Sequence, residues 1–510
     1  MSKPLQLWAN VPTSPVILNA TIYYLTLIVG VMALVGSLWS IRQKKYTLAI
    51  LCLVVGGLAL RMFASYDQFL HPWDERYHAL VAKNMMGNML YPVLYEHPIL
   101  DYDYRVWTDN HIWLHKQPMA MWLISGTYQL FGTGDFVTRI PSILLTTVGI
   151  YCTYRIGYRL FGRRVGYYAA FLFSVNGLIL ENVSGRTATD HVDSLYLSFV
   201  TIAIFLAIES ARNGKHWLNL LCGAFVGLAI LTKWLPALIV LPLWLLEMKR
   251  QRSGTKQILL NGLLMVLVMS TVVLPWQMYI HVNFPLEAGW EQGMNFKHLT
   301  TTVEGREGGP FFHLEEMRIS FGELVYLPLL WLIIIAIRKR KITYMFLLTW
   351  VLVPVVFFSL VETKMPSYLL FTSPAIFITI GLFARYIRRI FRRSKIRWLS
   401  IPVLVLLIAL PVRYTIERLK MFDLSYEYEK GWASDLKKFG KTLDDPKKVV
   451  LFNTQYPVEA MYYTDCTAYL KTPNRETLDS LMIAGYEIHI NNSSDTTQFR
   501  KGTIFHNFEE

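Results

Sequence analysis

Long apolar runs, separated by short polar segments, dominate the chain up to about residue 413. Most of these runs approach the ~20 residues that a helix needs to cross a bilayer. The first run is too long for a cleavable signal peptide and is followed by no small-residue cleavage site, so we interpret it as a span. The pattern predicts a polytopic α-helical membrane protein with about twelve spans. The predicted spans are 16–39, 46–63, 138–160, 165–182, 192–211, 217–232, 235–247, 257–280, 321–337, 343–361, 367–386 and 398–412.

Clusters of Lys and Arg follow every second predicted span. The positive-inside rule places this side in the cytoplasm. The opposite side then receives a first large loop at about 64–137, a second at about 281–320, and the C-terminal tail. We therefore predict that the polar chemistry of the chain lies outside the cytoplasm. The basic clusters lie at 42–45, 159–164, 212–215, 249–256, 338–341 and 385–397.

The pattern changes after residue 413. Strand-like runs at 448–452, 467–470 and 487–491 alternate with helix-like runs at 434–443, 458–463 and 475–484. The alternation predicts a small α/β extracytoplasmic domain at 414–510, after a transmembrane domain at 1–413. A domain of under ~100 residues folds alone only marginally, and the alternative is that it leans on the membrane domain.

Composition agrees with a membrane protein. The chain is 53% hydrophobic and only 17% charged, and its mean hydropathy is +0.33. A net charge of +14 would suit a nucleic-acid partner. However, the basic residues lie in short loops between spans, while the tail carries more carboxylates than basic groups, so we predict no nucleic-acid binding. Three of the four cysteines lie in apolar runs, and no structural disulfide is expected.

The densest polar stretch is residues 71–118 of the first outer loop. It holds five of the twelve histidines, and seven carboxylates lie between residues 67 and 109. A polar loop between apolar segments is the default hypothesis for a functional site, with the remaining helices as its scaffold.

Within this loop, the segment DERYHALVAKNM predicts an amphipathic helix along the membrane surface. Tyr77 and His78 follow Asp74 by three and four residues and therefore share its face. Two interpretations of Asp74 stay open. It is either a general base near a histidine or a helix N-cap within an ordinary surface cluster. Tyr77, His78 and His115 are the candidates for lining an acceptor pocket.

The order of motifs from Asp74 to about residue 384 resembles the GT-C superfamily of polyprenyl-phosphate-sugar-dependent glycosyltransferases. It is most similar to the protein-mannosyltransferase-like and lipid A aminoarabinose-transferase-like branch. The resemblance implies a GT-C-like bundle with interfacial helices in the first outer loop, a polyprenyl-phosphate-linked sugar donor, and a bacterial inner membrane. The motifs are Asp74-Glu75, Lys116 and Pro118 with Trp122, LFG, RIPS, GRTATDHVDSLYLSF, GLAILTKW, LPWQMYI and TKMPSYLLFTSPA.

The resemblance also implies roles. Asp74 would take the proton of an acceptor hydroxyl, and Glu75 is the second choice or an orienting partner. Single displacement with one base would invert the anomeric centre. The donor phosphate is already a competent leaving group, so no nucleotide cofactor is required. Among the other outward charges, Arg186 is expected to brace helix ends by pairing with Asp190 or Asp193.

A departing phosphate gathers negative charge, and cations at the outer ends of spans would stabilise it. Lys116, Lys233 and Lys364 are the candidates, with Tyr368 as a hydrogen-bond donor and Arg306 from the second outer loop. The alternative for the lysines is snorkelling to lipid headgroups. The alternative for Tyr368 is a place in the interfacial aromatic belt.

Two departures from this branch concern the site. Gln117 replaces the first proline of the usual pair, and His115 stands where the aminoarabinose branch has a glutamate that has been associated with metal. His298 lies in the second outer loop, but its spacing to His313 is not a zinc signature. A divalent metal held by His298 and His115 stays an open alternative.

Two other classes of protein, a transporter and a non-catalytic scaffold, fit the sequence less well. A transporter or flippase of lipid-linked glycans would place charged groups near mid-membrane in repeated halves, whereas here they gather in one outer loop and no repeat is seen. A scaffold that only presents the tail leaves the polar loop unexplained. The expected partners are membrane lipids, the lipid-linked donor, and an acceptor that is a protein hydroxyl, lipid A or another glycan.

Overall fold

The chain is helical except in its C-terminal part. The computed structural model describes residues 15–391, 398, 400–421, 426–491 and 503–506, so part of the basic cluster at 385–397 lies outside the described residues. The helices are α1 (Pro15–Arg42), α2 (Tyr46–Ala64), α3 (Asp74–Asn84), α4 (Met119–Phe131), α5 (Asp135–Phe161), α6 (Arg163–Val175), α7 (Gly177–Val183), α8 (Asp190–Asn213), α9 (His216–Lys233), α10 (Val240–Arg250), α11 (Thr255–Asn283), α12 (Pro285–Thr300), α13 (Phe312–Phe321), α14 (Tyr326–Lys339), α15 (Ile342–Leu360), α16 (Ser373–Phe391), α17 (Ser400–Arg418), α18 (Gly431–Gly440), α19 (Pro457–Thr464) and α20 (Arg475–Ile483).

Nine helical segments within the described ranges are long and apolar enough to cross a membrane, and each coincides with a predicted span. A tenth candidate is the pair Phe312–Phe321 and Glu323–Lys339, which is bent by 115°. The bend falls at Gly322, whose φ of 91° is accessible to glycine without strain. The protein is therefore an integral, multi-pass membrane protein.

The remaining two predicted spans, 165–182 and 235–247, coincide with helices that are broken. In the first, α6 ends at Val175, and the side chain of the next residue, Asn176, accepts a hydrogen bond from the backbone N–H of Ile179 and so caps α7. In the second, Trp234 takes a φ of 66° and a 3₁₀ turn, Leu235–Ile239, precedes α10. Hydropathy alone does not reveal either break, because the residues on both sides are apolar.

Helix α8 lies at the centre of the bundle. It is buried along nearly its whole length, whereas α11 exposes most of its surface. Helices α5 and α9 pack against α8. The N-terminal turn of α8 carries Asp190, His191 and Asp193, all three of them buried. The central helix of the bundle thus begins with a polar turn that faces the first outer loop.

Helix α3 is enclosed by protein, and its position along the membrane surface stays a prediction. Its residues from Tyr77 to Ala82 are all buried, because α4 and α19 of the tail pack against the helix. The polar positions Arg76 and Lys83 contact the tail. The amphipathic pattern was therefore real, but its polar face is occupied by protein.

The tail is the predicted small α/β unit. Strands β1 (Val449–Phe452), β2 (Thr467–Ala468), β3 (Glu487–Asn491) and β4 (Ile504–His506) form a parallel sheet in the order β2-β1-β3-β4. The three predicted strands and three predicted helices are present, and β4 was not predicted. The burial of all four residues of β1 agrees with its central position.

The tail is docked on the first outer loop through polar contacts. Arg76 lies 3.0 Å from the buried carboxylate of Glu459, and Lys83 lies 2.6 Å from Asp465. Lys437 donates to Asp135, which begins α5, at 2.9 Å. Two of these contacts hold α3 itself, so the tail fixes the helix that carries Asp74.

Candidate active site

Asp74 and Lys116 are brought together although 42 positions separate them in the sequence. The Lys116 Nζ lies 3.4 Å from the Asp74 Oδ2, and the two side chains are 29% and 14% exposed. The N-cap position of α3 is Trp73, and within the described residues no side chain caps this end of the helix. The capping interpretation of Asp74 is therefore not supported. The carboxylate instead faces a cation at an accessible position.

The surroundings of Lys116 keep it charged. Burial alone would lower the pKa of its ammonium group, but the negative charges of Asp74 and Glu304 and the phenol of Tyr368 outweigh burial and raise it. The Tyr368 phenol, although distant in sequence, lies within electrostatic range of Lys116. Lys116 therefore stays a cation at a partly exposed position, and a cation is the group that an anionic substrate group requires.

His115 lies beside this pair. Its ring stacks on Trp107 with centroids 4.3 Å apart, its Nε2 lies 3.1 Å from the Lys116 Nζ, and its Nδ1 lies 3.5 Å from Glu291 of α12. Burial and the Lys116 charge lower the pKa of His115 well below its usual value, so the imidazole is neutral. Burial also raises the pKa of Glu291 to about 7.

The second outer loop folds over this group between α12 and α13. Glu304 accepts a hydrogen bond from the Trp107 Nε1 at 2.8 Å. The Arg306 guanidinium lies 4.9 Å from the centre of the Trp73 ring, within the range of a cation–π contact. Trp73 directly precedes Asp74 in the sequence, and Trp107 stacks on His115, which directly precedes Lys116. The predicted phosphate ligand Arg306 is therefore at the rim of the site, on a tryptophan.

Lys233 and Tyr368 form the next part of the site. The Lys233 Nζ pairs with the carboxylate of Asp193 and lies 4.7 Å from the centre of the Tyr368 ring. Asp193 also accepts a hydrogen bond from the Ser367 hydroxyl at 2.6 Å. Since Tyr368 also lies within electrostatic range of Lys116, the two cations Lys116 and Lys233 share this phenol as a neighbour.

Lys364 does not join this group, which corrects its prediction as a phosphate ligand. Its Nζ donates to the carbonyls of Phe358 at 3.1 Å, Ser359 at 2.8 Å and Val361. These are orphan carbonyls at the C-terminus of α15, where a lysine is stabilising. All three of its N–H bonds are used, and only 5% of the residue is exposed. Lys364 therefore caps a helix in this conformation.

Glu75 is fully buried and faces away from Asp74, into the protein. Its Oε1 accepts from the Arg139 Nε at 2.8 Å and lies 3.1 Å from the His191 Nε2. Burial would raise the pKa of Glu75, but Arg139 and His191 hold it well below its usual range. A Cβ atom at Gly185 would collide with this carboxylate. The geometry favours Glu75 as an orienting residue over a catalytic one.

The two other pocket candidates on α3 behave differently from each other. Tyr77 is 6% exposed and its ring packs against Trp107 and Trp113, with centroids at 4.9 and 6.5 Å. The role of Tyr77 is therefore packing. His78 is fully buried, and its Nδ1 lies 3.1 Å from the Asp190 Oδ1. It is a polar group held inside the site.

Sequence reasoning missed the first turn of α8 as an organiser. Asp190 holds His78, His191 holds Glu75, and Asp193 holds Lys233. The expected pairing of Arg186 with Asp190 or Asp193 is wrong, because Arg186 pairs with Asp67 at 2.8 Å. The available signal was the cluster of three ionisable residues in TDHVDS, but nothing in it specified their partners.

The described residues offer no set of ligands for the metal ion that the sequence left open as an alternative. Among the described residues no three His, Cys, Asp or Glu side chains converge on a point that suits a metal ion. His115 has Glu291 nearby, and the Nδ1 of His298 is buried with no partner among the described residues. Metal binding by His298 and His115 stays a hypothesis, and the proposals below assign no step to it.

Comparisons with known proteins agree with this architecture. Residues 115–276 match the family model described as dolichyl-phosphate-mannose-protein mannosyltransferase. Two curated relatives are named undecaprenyl phosphate-alpha-4-amino-4-deoxy-L-arabinose arabinosyl transferases. One, from Pseudomonas fluorescens, is 26% identical over 52% of this chain and 49% of its own. The other, from Pseudomonas aeruginosa, is 28% identical over 52% and 49%. The chain thus spans about half the length of the curated relatives it matches.

Two solved structures share the fold. The ArnT structure from Cupriavidus metallidurans, bound to undecaprenyl phosphate, has a TM-score of 0.59 at 18% identity and covers 85% of this chain and 88% of its own. The oligosaccharyltransferase AglB from Archaeoglobus fulgidus, with an inhibitory peptide and dolichol-phosphate, has a TM-score of 0.59 at 14% identity, over 84% and 65%. These findings confirm the GT-C-like fold and the resemblance to the aminoarabinose-transferase-like branch.

Proposed function

We propose that this protein is a glycosyltransferase that moves a sugar from a polyprenyl-phosphate carrier to an acceptor on the outer face of the membrane. The observation that carries the proposal is the Asp74 carboxylate 3.4 Å from the Lys116 ammonium at an accessible position. A base and a phosphate-binding cation are the two groups that the transfer needs at one point. The names of the relatives and the polyprenyl phosphates in the two solved structures support the same donor class.

The transfer is a single displacement. The oxygen of the acceptor hydroxyl attacks the anomeric carbon of the sugar, and Asp74 takes the hydroxyl proton. The bond between the anomeric carbon and the phosphate oxygen breaks, and the electron pair leaves with the polyprenyl phosphate. Lys116, assisted by Lys233 and Tyr368, balances the charge that builds on the phosphate. One base without a nucleophile predicts inversion at the anomeric centre, and no nucleotide takes part.

The sugar and the acceptor are best found together. Cells that lack the protein should accumulate the lipid-linked sugar that it consumes, and mass spectrometry of extracted lipids would identify it. The purified protein should then transfer that sugar to a protein hydroxyl, lipid A or another glycan from the same cells. If the extracted lipids are unchanged and the purified protein transfers nothing from them, the proposal is wrong.

The outward orientation is tested by single-cysteine labelling. The exposed positions Asp101, in the first outer loop, and Asn474, in the tail, are suitable because a cysteine there is accessible. We expect a membrane-impermeant maleimide to label Asp101→Cys and Asn474→Cys in intact spheroplasts, in a background without the native cysteines. A cysteine at Arg340, within a basic cluster, should react only after the membrane is opened. The reverse pattern would contradict the proposed orientation.

A matched pair of lysine variants tests the phosphate site. Lys116→Met keeps most of the stem but removes a charge-assisted contact worth roughly 1.5–3 kcal/mol, so the affinity for undecaprenyl phosphate should fall about ten- to a hundredfold. Lys364→Met removes a helix cap, so it should lower the thermal stability and leave the affinity near that of wild type. Wild-type affinity in Lys116→Met would refute the assignment, and a selective loss in Lys364→Met would restore the role predicted from sequence.

A further inference from the structure

His78 is a polar group of the site that the transfer described above does not use. Its side chain is fully buried, and its Nδ1 lies 3.1 and 3.2 Å from the two carboxylate oxygens of Asp190. An imidazole nitrogen beside a carboxylate carries the proton, so the Nδ1–H donates to Asp190. The other ring nitrogen, Nε2, is buried and has no hydrogen-bond partner among the described residues.

The position of the ring relates this nitrogen to the site. His78 lies one helical turn after Asp74 on the same face of α3. Its ring meets Trp113 edge-on, with centroids 5.7 Å apart. The charges of Asp190, Asp74 and Lys116 all act on its ring, and it acts in turn on His115. The unpartnered nitrogen therefore belongs to the group of residues around the Asp74–Lys116 pair.

A buried polar atom without a partner is costly, and native structures rarely keep one without a reason. One such reason is a ligand that supplies the missing hydrogen bond. With the Nδ1–H held by Asp190, Nε2 accepts a hydrogen bond in the neutral imidazole and donates one in the charged form. A hydroxyl group satisfies Nε2 in both states, because it can both donate and accept. A phosphate oxygen only accepts, and Lys116 and Lys233 already suit it.

We propose that the Nε2 of His78 binds a hydroxyl of the donor sugar, with Asp190 as the residue that positions the ring. The inference rests on the proposed function. The anomeric carbon must lie between the acceptor oxygen at Asp74 and the phosphate at Lys116, so the remainder of the sugar ring lies beside this pair. His78, one turn away on the same helix face, then contributes to which sugar the protein accepts.

The test separates binding of the sugar from binding of the phosphate. The probes are undecaprenyl phosphate and the same lipid carrying a pentose or a hexose. His78→Phe keeps the ring volume but removes both nitrogens. We expect it to bind undecaprenyl phosphate within about twofold of wild type and to bind the preferred sugar-loaded lipid about tenfold more weakly. Asp190→Asn should lower the affinity for the same lipid by a smaller factor, because the His78 ring stays in place but loses the carboxylate that holds it.

Two further variants serve as controls. His111→Phe alters a histidine of the same loop that is bound to the Tyr95 carbonyl at 2.6 Å, outside the site, and should leave all three affinities unchanged. His78→Gln retains a donor and an acceptor, so it should keep more of the sugar's contribution than His78→Phe. Thermal unfolding of each variant shows whether it is folded. If His78→Phe does not fold, the ratio of sugar-loaded to bare affinity in His78→Gln decides.

Each other outcome overturns the inference in a distinct way. An equal loss for the bare and the loaded lipid would make His78 a phosphate contact or a structural residue. No loss for either lipid would mean that Nε2 holds a buried water only. A wild-type protein that binds the loaded lipids no better than the bare one would show that the sugar is not recognised. Failure of the wild-type protein to bind undecaprenyl phosphate at all would instead refute the proposed function.

Discussion

Replacing Asp74 by asparagine should reduce sugar transfer at least ~100-fold while expression stays near that of wild type, because an amide keeps the shape of the side chain but cannot take a proton. The affinity for undecaprenyl phosphate should not fall in this variant. Asp74 competes with the donor phosphate for Lys116, at 3.4 Å, so loss of the carboxylate leaves the ammonium free for the phosphate. A lower rate with unchanged or tighter donor binding is the signature of a lost base.

The measurement is the rate of transfer by purified protein, beside the donor affinity and the thermal stability. Asp103→Asn is the matched control, since Asp103 is a carboxylate of the same loop that forms an ion pair with Arg105 and with no other described residue, and its activity should equal that of wild type. Asn caps helices nearly as well as Asp. Full activity in Asp74→Asn, together with a loss in Asp74→Ala, would therefore show that capping was the whole role of Asp74.

Local pattern predicted the elements of this fold well. The apolar runs predicted the long helices because a span must be apolar along its whole length, whatever its neighbours are. The tail strand at 448–452 was predictable because a buried central strand is a short apolar run between turns, and the strand at 487–491 because two isoleucines alternate with polar residues there. The concentration of histidines and carboxylates in one loop also indicated where the site lies. These features depend on the residues themselves rather than on distant partners.

Long-range pairing was not predictable from the same patterns. Lys116 and Lys364 look alike in sequence, since each lies at one end of an apolar run and two residues before a proline. Only the folded chain shows that one meets Asp74 and the other meets the carbonyls that end α15. Similarly, the burial of α3 depends on α19, which lies near the other end of the chain. An amphipathic helix has the same pattern whether water, lipid or another domain covers its polar face.

Asp74 and Glu75 are adjacent in the sequence, but the first faces the site and the second holds the structure together. Successive residues of a helix point about 100° apart, so Asp74 faces Lys116 while Glu75 faces Arg139 in the interior. Arg139 also donates to the carbonyls of Ser65 at 3.0 Å and Asp67 at 2.6 Å. This arginine thus ties the end of α2 and the start of α3 to α5. The ion pair of Glu75 and Arg139 therefore anchors the elements that carry the site.

Breaking that pair should be among the most destabilising single changes in the chain. Glu75→Gln leaves the Arg139 charge buried without its partner, and Arg139→Met leaves Glu75 in the same state, so each should cost roughly 3–5 kcal/mol. Glu75→Gln combined with Arg139→Met removes both charges and should cost clearly less than the two single changes together, because the residues are in direct contact. Asp103→Asn, at an exposed ion pair, should leave the free energy of unfolding nearly unchanged.

The measurement is thermal or denaturant-induced unfolding of the purified protein in detergent. Additive costs would show that the two side chains stabilise the protein independently, and a stable Glu75→Gln variant without transfer activity would give Glu75 the direct catalytic role that its burial argues against.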